Sequence, residues 1–146
     1  MASHEETAQQ DATERPLRKL LVVGRASSES ESLLADLQGR EDFELIRAAT
    51  LGHAETALKD LEVSLAIACP DMSASAVEDL LAVVERTRRG VPLLAIRNGR
   101  SDERTNWAEL GIGVLRSPLV AGALSRCIEV VLVLKAIRSS AREVGH

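Results

Sequence analysis

The stretch Lys19-Leu20-Leu21-Val22-Val23-Gly24-Arg25 decides how this chain is read. Four apolar residues in a row, closed at once by glycine, predict a short strand buried on both faces. A strand with one wet face would alternate apolar and polar side chains. Working outward, similar apolar runs return at 65–68 and 93–96, and further strands are predicted at 43–48 and, briefly, at 113–115. Between them the apolar spacing becomes helical. Ser28 and Glu31 read as a capping box before Leu33, Leu34 and Leu37, and Gly39 closes that helix. Ala54, Ala57, Leu58 and Leu61 mark a second helix over 53–61. Ser75 and Glu78 read as another capping box before Val77, Leu80, Leu81 and Val84, with Gly90 at the end. A short polar helix is predicted over 102–110, and a long last one over 120–142 after Pro118.

Five strand–helix repeats of this size predict an α/β fold: a doubly wound, five-stranded parallel sheet with five helices on its two faces. One segment carries mixed signals. Ile128, Val130, Val131 and Val133 are β-branched and favour strand. The length of the segment and its place in the alternation favour helix, which is the expectation adopted.

The 146 residues suit one domain, and 45% hydrophobic content is enough for a core. Phe43 and Trp107 are the only phenyl or indole side chains, so that core must be aliphatic. Residues 1–16 hold Glu5, Glu6, Asp11 and Glu14 against Arg15, a net −3, with no periodic apolar position. They read as a disordered tail, followed by one domain over 17–142 and a flexible C-terminus at 143–146. The net charge of −4 offers no basic field to nucleic acid. Cys69 and Cys127 alone make no disulfide framework, so a reducing cytoplasm is expected. The polar start argues against a secretory signal. The most apolar stretch, 128–134, is broken by Glu129 and falls far short of the roughly 18–20 residues a membrane span needs. His4, His53 and His146 share no metal-ligand spacing, and no phosphate-binding, dinucleotide, nucleophile-elbow or zinc motif occurs. No enzyme activity, cofactor or metal is expected.

Four local segments add to the pattern. Lys19 to Val23 opens it. Ala49-Thr50 is followed by Gly52 and Ala57-Leu58. Gly90-Val91-Pro92 leads into Leu93, Leu94, Ala95 and Ile96, and Leu110-Gly111 precedes Val114-Leu115-Arg116-Ser117-Pro118. In order and spacing these segments resemble the receiver domain of two-component response regulators, over roughly residues 17–138. The resemblance implies the strand order 2-1-3-4-5.

It also implies where chemistry should sit. A working receiver accepts a phosphoryl group on an aspartate at the end of the third strand. A divalent metal is held there by that aspartate and an acidic pair after the first strand. In this chain the acceptor position falls on Cys69, and the pair falls on Gly24 and Arg25. The switch hydroxyl falls on Arg97 and the lysine on Ser117, while Pro118 is kept. Asp71 is the one alternative acceptor, and it too would lack partners for Mg²⁺. The implied reading is a degenerate receiver that does not use phosphorylation.

Two readings stand for the altered pocket. Arg25 and Arg97 lie at the edge where doubly wound folds bind ligands, and together they could clamp a small anion. Alternatively, one arginine fills the place of the metal and pairs with Asp71 or Asp102. Cys69 reads either as a thiol activated by Arg25 or as an inert core residue.

The resemblance places docking and dimerisation on the face of the fourth helix, fifth strand and fifth helix. Candidates there are Trp107, Leu110, Val114, Val120, Ile128 and Val131. The last helix is apolar over more than the roughly 100° stripe one packed face needs, which also points to a partner. Trp107 reads equally as a core residue in a chain so poor in aromatics. The expected function is a bacterial, cytoplasmic signalling or localisation module. It acts by docking another protein or a second copy, without nucleic acid or membrane. The alternative is a small anionic-ligand sensor built on Arg25 and Arg97.

Overall fold

The computed structural model describes residues 17–88, 90–99 and 105–144, with side chains as far as residue 138. The segment 1–16 and the end of the chain after 144 lie outside the described residues. Five strands, β1 (Arg18–Val23), β2 (Phe43–Ala48), β3 (Val63–Ala68), β4 (Leu93–Asn98) and β5 (Gly113–Ser117), form one sheet. All pairs are parallel, in the order β2-β1-β3-β4-β5. Four helices are present among the described residues: α1 (Ser28–Gln38), α2 (Leu51–Asp60), α3 (Ala74–Thr87) and α4 (Ala123–Val144).

β1 lies inside the sheet between β2 and β3, and Leu20, Leu21, Val22 and Val23 are buried on both faces, as a continuous apolar run requires. Period-two alternation sorts the inner strands into two cores. Leu21, Val23, Ala66, Ala68, Leu93 and Ala95 face α2 and α3, meeting Ala54, Leu58, Val77, Leu80 and Val84. Leu20, Val22, Leu65, Ile67, Leu94 and Ile96 face α1 and α4, meeting Leu34, Leu37, Leu124 and Ile128. Each fully buried Leu or Ile side chain contributes about 1.5–3 kcal/mol relative to exposure. Ile128 to Val133 lie within α4, so the β-branched segment is helical; packing of Ile128 in one cluster with Leu34 and Leu37 outweighs its local preference.

Three sequence expectations need correction. The cap of α1 is Ser27, not Ser28: Ser27 Oγ accepts from the Ser30 N–H, and Ser30 Oγ accepts from the Ser27 N–H. The cap of α3 is Ser73, whose hydroxyl accepts from the Ala76 N–H, not Ser75. In serine-rich entries any hydroxyl can cap, and the docked helix selects which one does. No helix runs to Leu110: residues 107–111 make turns, and 100–104 lie outside the described residues. Only Trp107 and Leu110 in that segment are large and apolar, too few for a helical face to hold it down.

Arg40 ties α4 to the start of β2. Its guanidinium donates to Asp42 at 2.9 Å and to Glu129, and lies 4.9 Å from the Phe43 ring centroid. Hydrogen bonding to Arg40 holds the Asp42 carboxyl below its usual range.

Candidate functional site

The carboxyl ends of β1, β3, β4 and β5 bring Gly24, Arg25, Cys69, Asp71, Arg97 and Ser117 to one edge of the sheet. Gly24 continues β1 at φ +141°, a conformation L side chains rarely adopt. Its N–H donates to the Ala48 carbonyl, and the Cys69 N–H donates to the Val23 carbonyl. A β-carbon on residue 24 would lie 2.7 Å from Asp71 Oδ1 and 2.8 Å from Cys69 Cβ. The space into which a side chain at residue 24 would extend is therefore taken by Asp71 and Cys69. Asp71 is held by the Arg25 backbone, whose N–H donates to Oδ2 at 3.0 Å.

Cys69 is buried, and burial, then the charge on Asp71, pushes its thiol up to about 11. At neutral pH it is protonated and poorly nucleophilic, so activation by Arg25 does not occur. Cys127 is half-buried against the second core, and burial raises its thiol too.

Arg97 turns away from this cluster. It lies on the same face of β4 as Leu93 and Ala95 and is 5% exposed. One guanidinium nitrogen donates to the Met72 carbonyl at 2.6 Å, and the guanidinium lies 5.4 Å from the Trp107 ring centroid. Asp71, the partner the sequence offered, is engaged by Arg25, and Asp102 lies outside the described residues. Arg25 is exposed, so the two arginines differ in burial and in partners. Ser117 Oγ donates to the Arg97 carbonyl at 3.4 Å, and the Ser117–Pro118 peptide is cis.

A hard cation does not fit this donor set. Gly24 offers no side-chain oxygen, Arg25 is cationic, and Asp71 is a single carboxylate already accepting a backbone hydrogen bond. Among the described residues, no group of three or more His, Cys, Asp or Glu is placed to hold a metal.

No protein-family model and no curated protein matches the sequence. Solved structures do match. NtrX from Brucella abortus, in complex with ADP, superposes with a TM-score of 0.72 at 17% identity, over 86% of this chain and 29% of that one. A CheY-like response regulator receiver domain from Methanospirillum hungatei gives 0.66 at 18% identity, over 84% and 98%. The receiver domain of a sensor histidine kinase from Pseudomonas aeruginosa also gives 0.66, at 14% identity, over 79% and 97%. The chain has the receiver fold. In the Pseudomonas receiver a magnesium ion is coordinated in the active-site cleft.

The docking candidates separate by burial. Trp107 is 5% exposed and belongs to the core against α2 and α3, on the face where Ala66, Ala68 and Ala95 leave room for an indole. Ile128 is fully buried. Neither is available as a surface anchor, because the chain poor in aromatics uses both sides of its sheet to close its own core. Leu110 and Val114 pack partly on the first core and Val131 on the second, while Val120 is 71% exposed.

Four residues outside the sequence-based set carry the exposed apolar surface of α4: Val130, Val133, Leu134 and Ile137. Their i, i+3, i+4, i+7 spacing puts them on one side of the helix, away from Leu124 and Ile128. The signal for them was the excess apolar width of the last helix. Among the described residues, no helix is long and apolar enough to cross a membrane.

Proposed function

We propose that this receiver-fold chain is a cytoplasmic signalling module that works by docking a partner protein and not by accepting a phosphoryl group. The observation that carries the reading is the stripe of Val130, Val133, Leu134 and Ile137, about half exposed each, on a helix whose opposite face is already buried. Apolar side chains at successive helical turns form a continuous strip, the kind of surface a partner helix or groove covers. The crowding of residue 24 by Asp71 and Cys69 supports the other half of the reading, since it leaves no space for a metal-holding carboxylate.

The test has two arms. Intact-mass measurement after incubation with a small phosphodonor and Mg²⁺ is expected to show no stoichiometric gain. A gain of one phosphoryl group, lost in Asp71→Asn, defeats the proposal. In the second arm, wild type and a Val133→Asp/Ile137→Asp variant, both checked for folding, are used as baits in lysate of the native cell. Loss of a discrete, reproducible partner from the variant is expected; equal recovery by both defeats the assignment of the stripe.

A further inference from the structure

At the opposite edge of the sheet, the amino ends of β1 and β3 border a groove of about 470 Å³. Its charged lining is Arg18, Lys19, Arg88 and Lys135 against Glu62, with Ser64 beside them. Four cations thus face one carboxylate. Arg88 is fixed at the rim by donating Nε–H to the Leu58 carbonyl at 2.9 Å. Arg18 lies in the field of Asp42. Lys135 is half-buried on α4, burial pulls its ammonium below the usual lysine range, and it takes part in none of the ion pairs among the described residues. A partly desolvated cation without a counter-charge is unfavourable, and an incoming anion relieves it.

Leu17, the first described residue, itself lines the groove, so the segment 1–16 is joined to the chain at a lining residue. That segment carries Glu5, Glu6, Asp11 and Glu14 against Arg15. We propose that the groove is an acidic-peptide site and that residues 1–16 of this chain are its occupant. The match is one of charge and reach: Glu14 is three residues from Leu17, about 10 Å of extended chain. Tethering gives the segment an effective concentration on the order of mM, so contacts too weak to hold a free peptide still populate the bound form. Lys135 lies between Leu134 and Ile137 in sequence, so an occupied groove brings acidic charge beside the docking stripe.

The full chain is the object of the test. Backbone amide spectra are compared between wild type and a form carrying Glu5→Gln, Glu6→Gln, Asp11→Asn and Glu14→Gln. Differences are expected at Lys19, Ser64, Val91 and Lys135, and they should shrink in about 0.5 M salt, where screening is short-ranged. Lys135→Gln in the wild-type background should reproduce them. A synthetic peptide of residues 1–16, added to the neutralised form, should move those resonances back, and inorganic phosphate at the same concentration should not. Spectra that agree beyond residue 18 overturn the proposal. So does restoration by phosphate as complete as by the peptide, which would make the groove a simple anion site.

Discussion

Arg97 and Trp107 hold each other inside the α2–α3 side of the sheet, with the guanidinium 5.4 Å from the indole centroid and both residues 5% exposed. A buried guanidinium is tolerable here because the Met72 carbonyl and the ring face both receive it. The indole Nε1 is buried and finds no hydrogen-bond partner among the described residues, a cost that the packing of the ring outweighs. Trp107→Ala is therefore expected to destabilise the fold by about 3–5 kcal/mol in urea unfolding. A double-mutant cycle with Arg97→Ala should return a coupling of about 1–2 kcal/mol. Additive losses would mean that the stacking contributes nothing.

Gly24→Ala places a β-carbon against Asp71 and Cys69 in a backbone conformation that disfavours it. A loss of about 1–3 kcal/mol is expected. Gly52→Ala is the control: it lies in α2, and its β-carbon would meet Thr50 Oγ1 at an ordinary 3.8 Å. That change should stabilise by about 0.5–1 kcal/mol. Equal effects at the two positions would contradict the crowding at residue 24.

The two sides of α4 should answer differently to truncation. Ile128→Ala empties a buried site and is expected to cost about 2–5 kcal/mol. Ile137→Ala removes an exposed side chain and should stay within about 0.5 kcal/mol. A large loss at Ile137 in the isolated chain would show that the stripe is covered intramolecularly.

Acid should weaken the fold through the carboxylates that arginine and lysine side chains hold. Hydrogen bonding to Arg40 lowers Asp42, to Arg47 lowers Glu31, and to Lys59 lowers Glu55. Folded-state values below the unfolded ones mean that the unfolded chain binds more protons, so stability falls with pH. The contribution is present above about pH 4 and is lost as pH drops through the lowered folded values. Chemical unfolding between pH 6 and pH 2.5 checks this, and Arg40→Ala should show a shallower decline than wild type.

The inner strands were legible because they are buried on both faces. Continuous runs such as Leu20 to Val23 leave a helix no polar face, and the structure places all five segments in strands. The helix entries were legible only to within a residue or two, since Ser27, Ser28 and Ser30 all offer hydroxyls and tertiary docking picks among them. The segment before β5 was misread as a helix because its charge pattern suits one while its lack of apolar positions does not. At the site, the residue types were legible and their directions were not. Arg97 and Arg25 look equivalent in sequence, yet alternation along β4 sends Arg97 to Trp107, while Arg25 contributes a backbone N–H. The burial of Trp107 depends on Ala66, Ala68 and Ala95 being small on one face of two neighbouring strands, a property no local window displays.

Because Asp71 and Cys69 stand where a β-carbon of residue 24 would lie, the order in which substitutions can arrive at this edge is restricted. An acidic residue introduced first at 24 meets a wall. Replacing Cys69 and Asp71 first removes the buried thiol packed at the end of β3 and the carboxylate that anchors the Arg25 backbone. A carboxylate at position 24 therefore demands changes at Cys69 and Asp71 as well: the three positions are coupled, and no single substitution sets an acidic side chain beside them without strain.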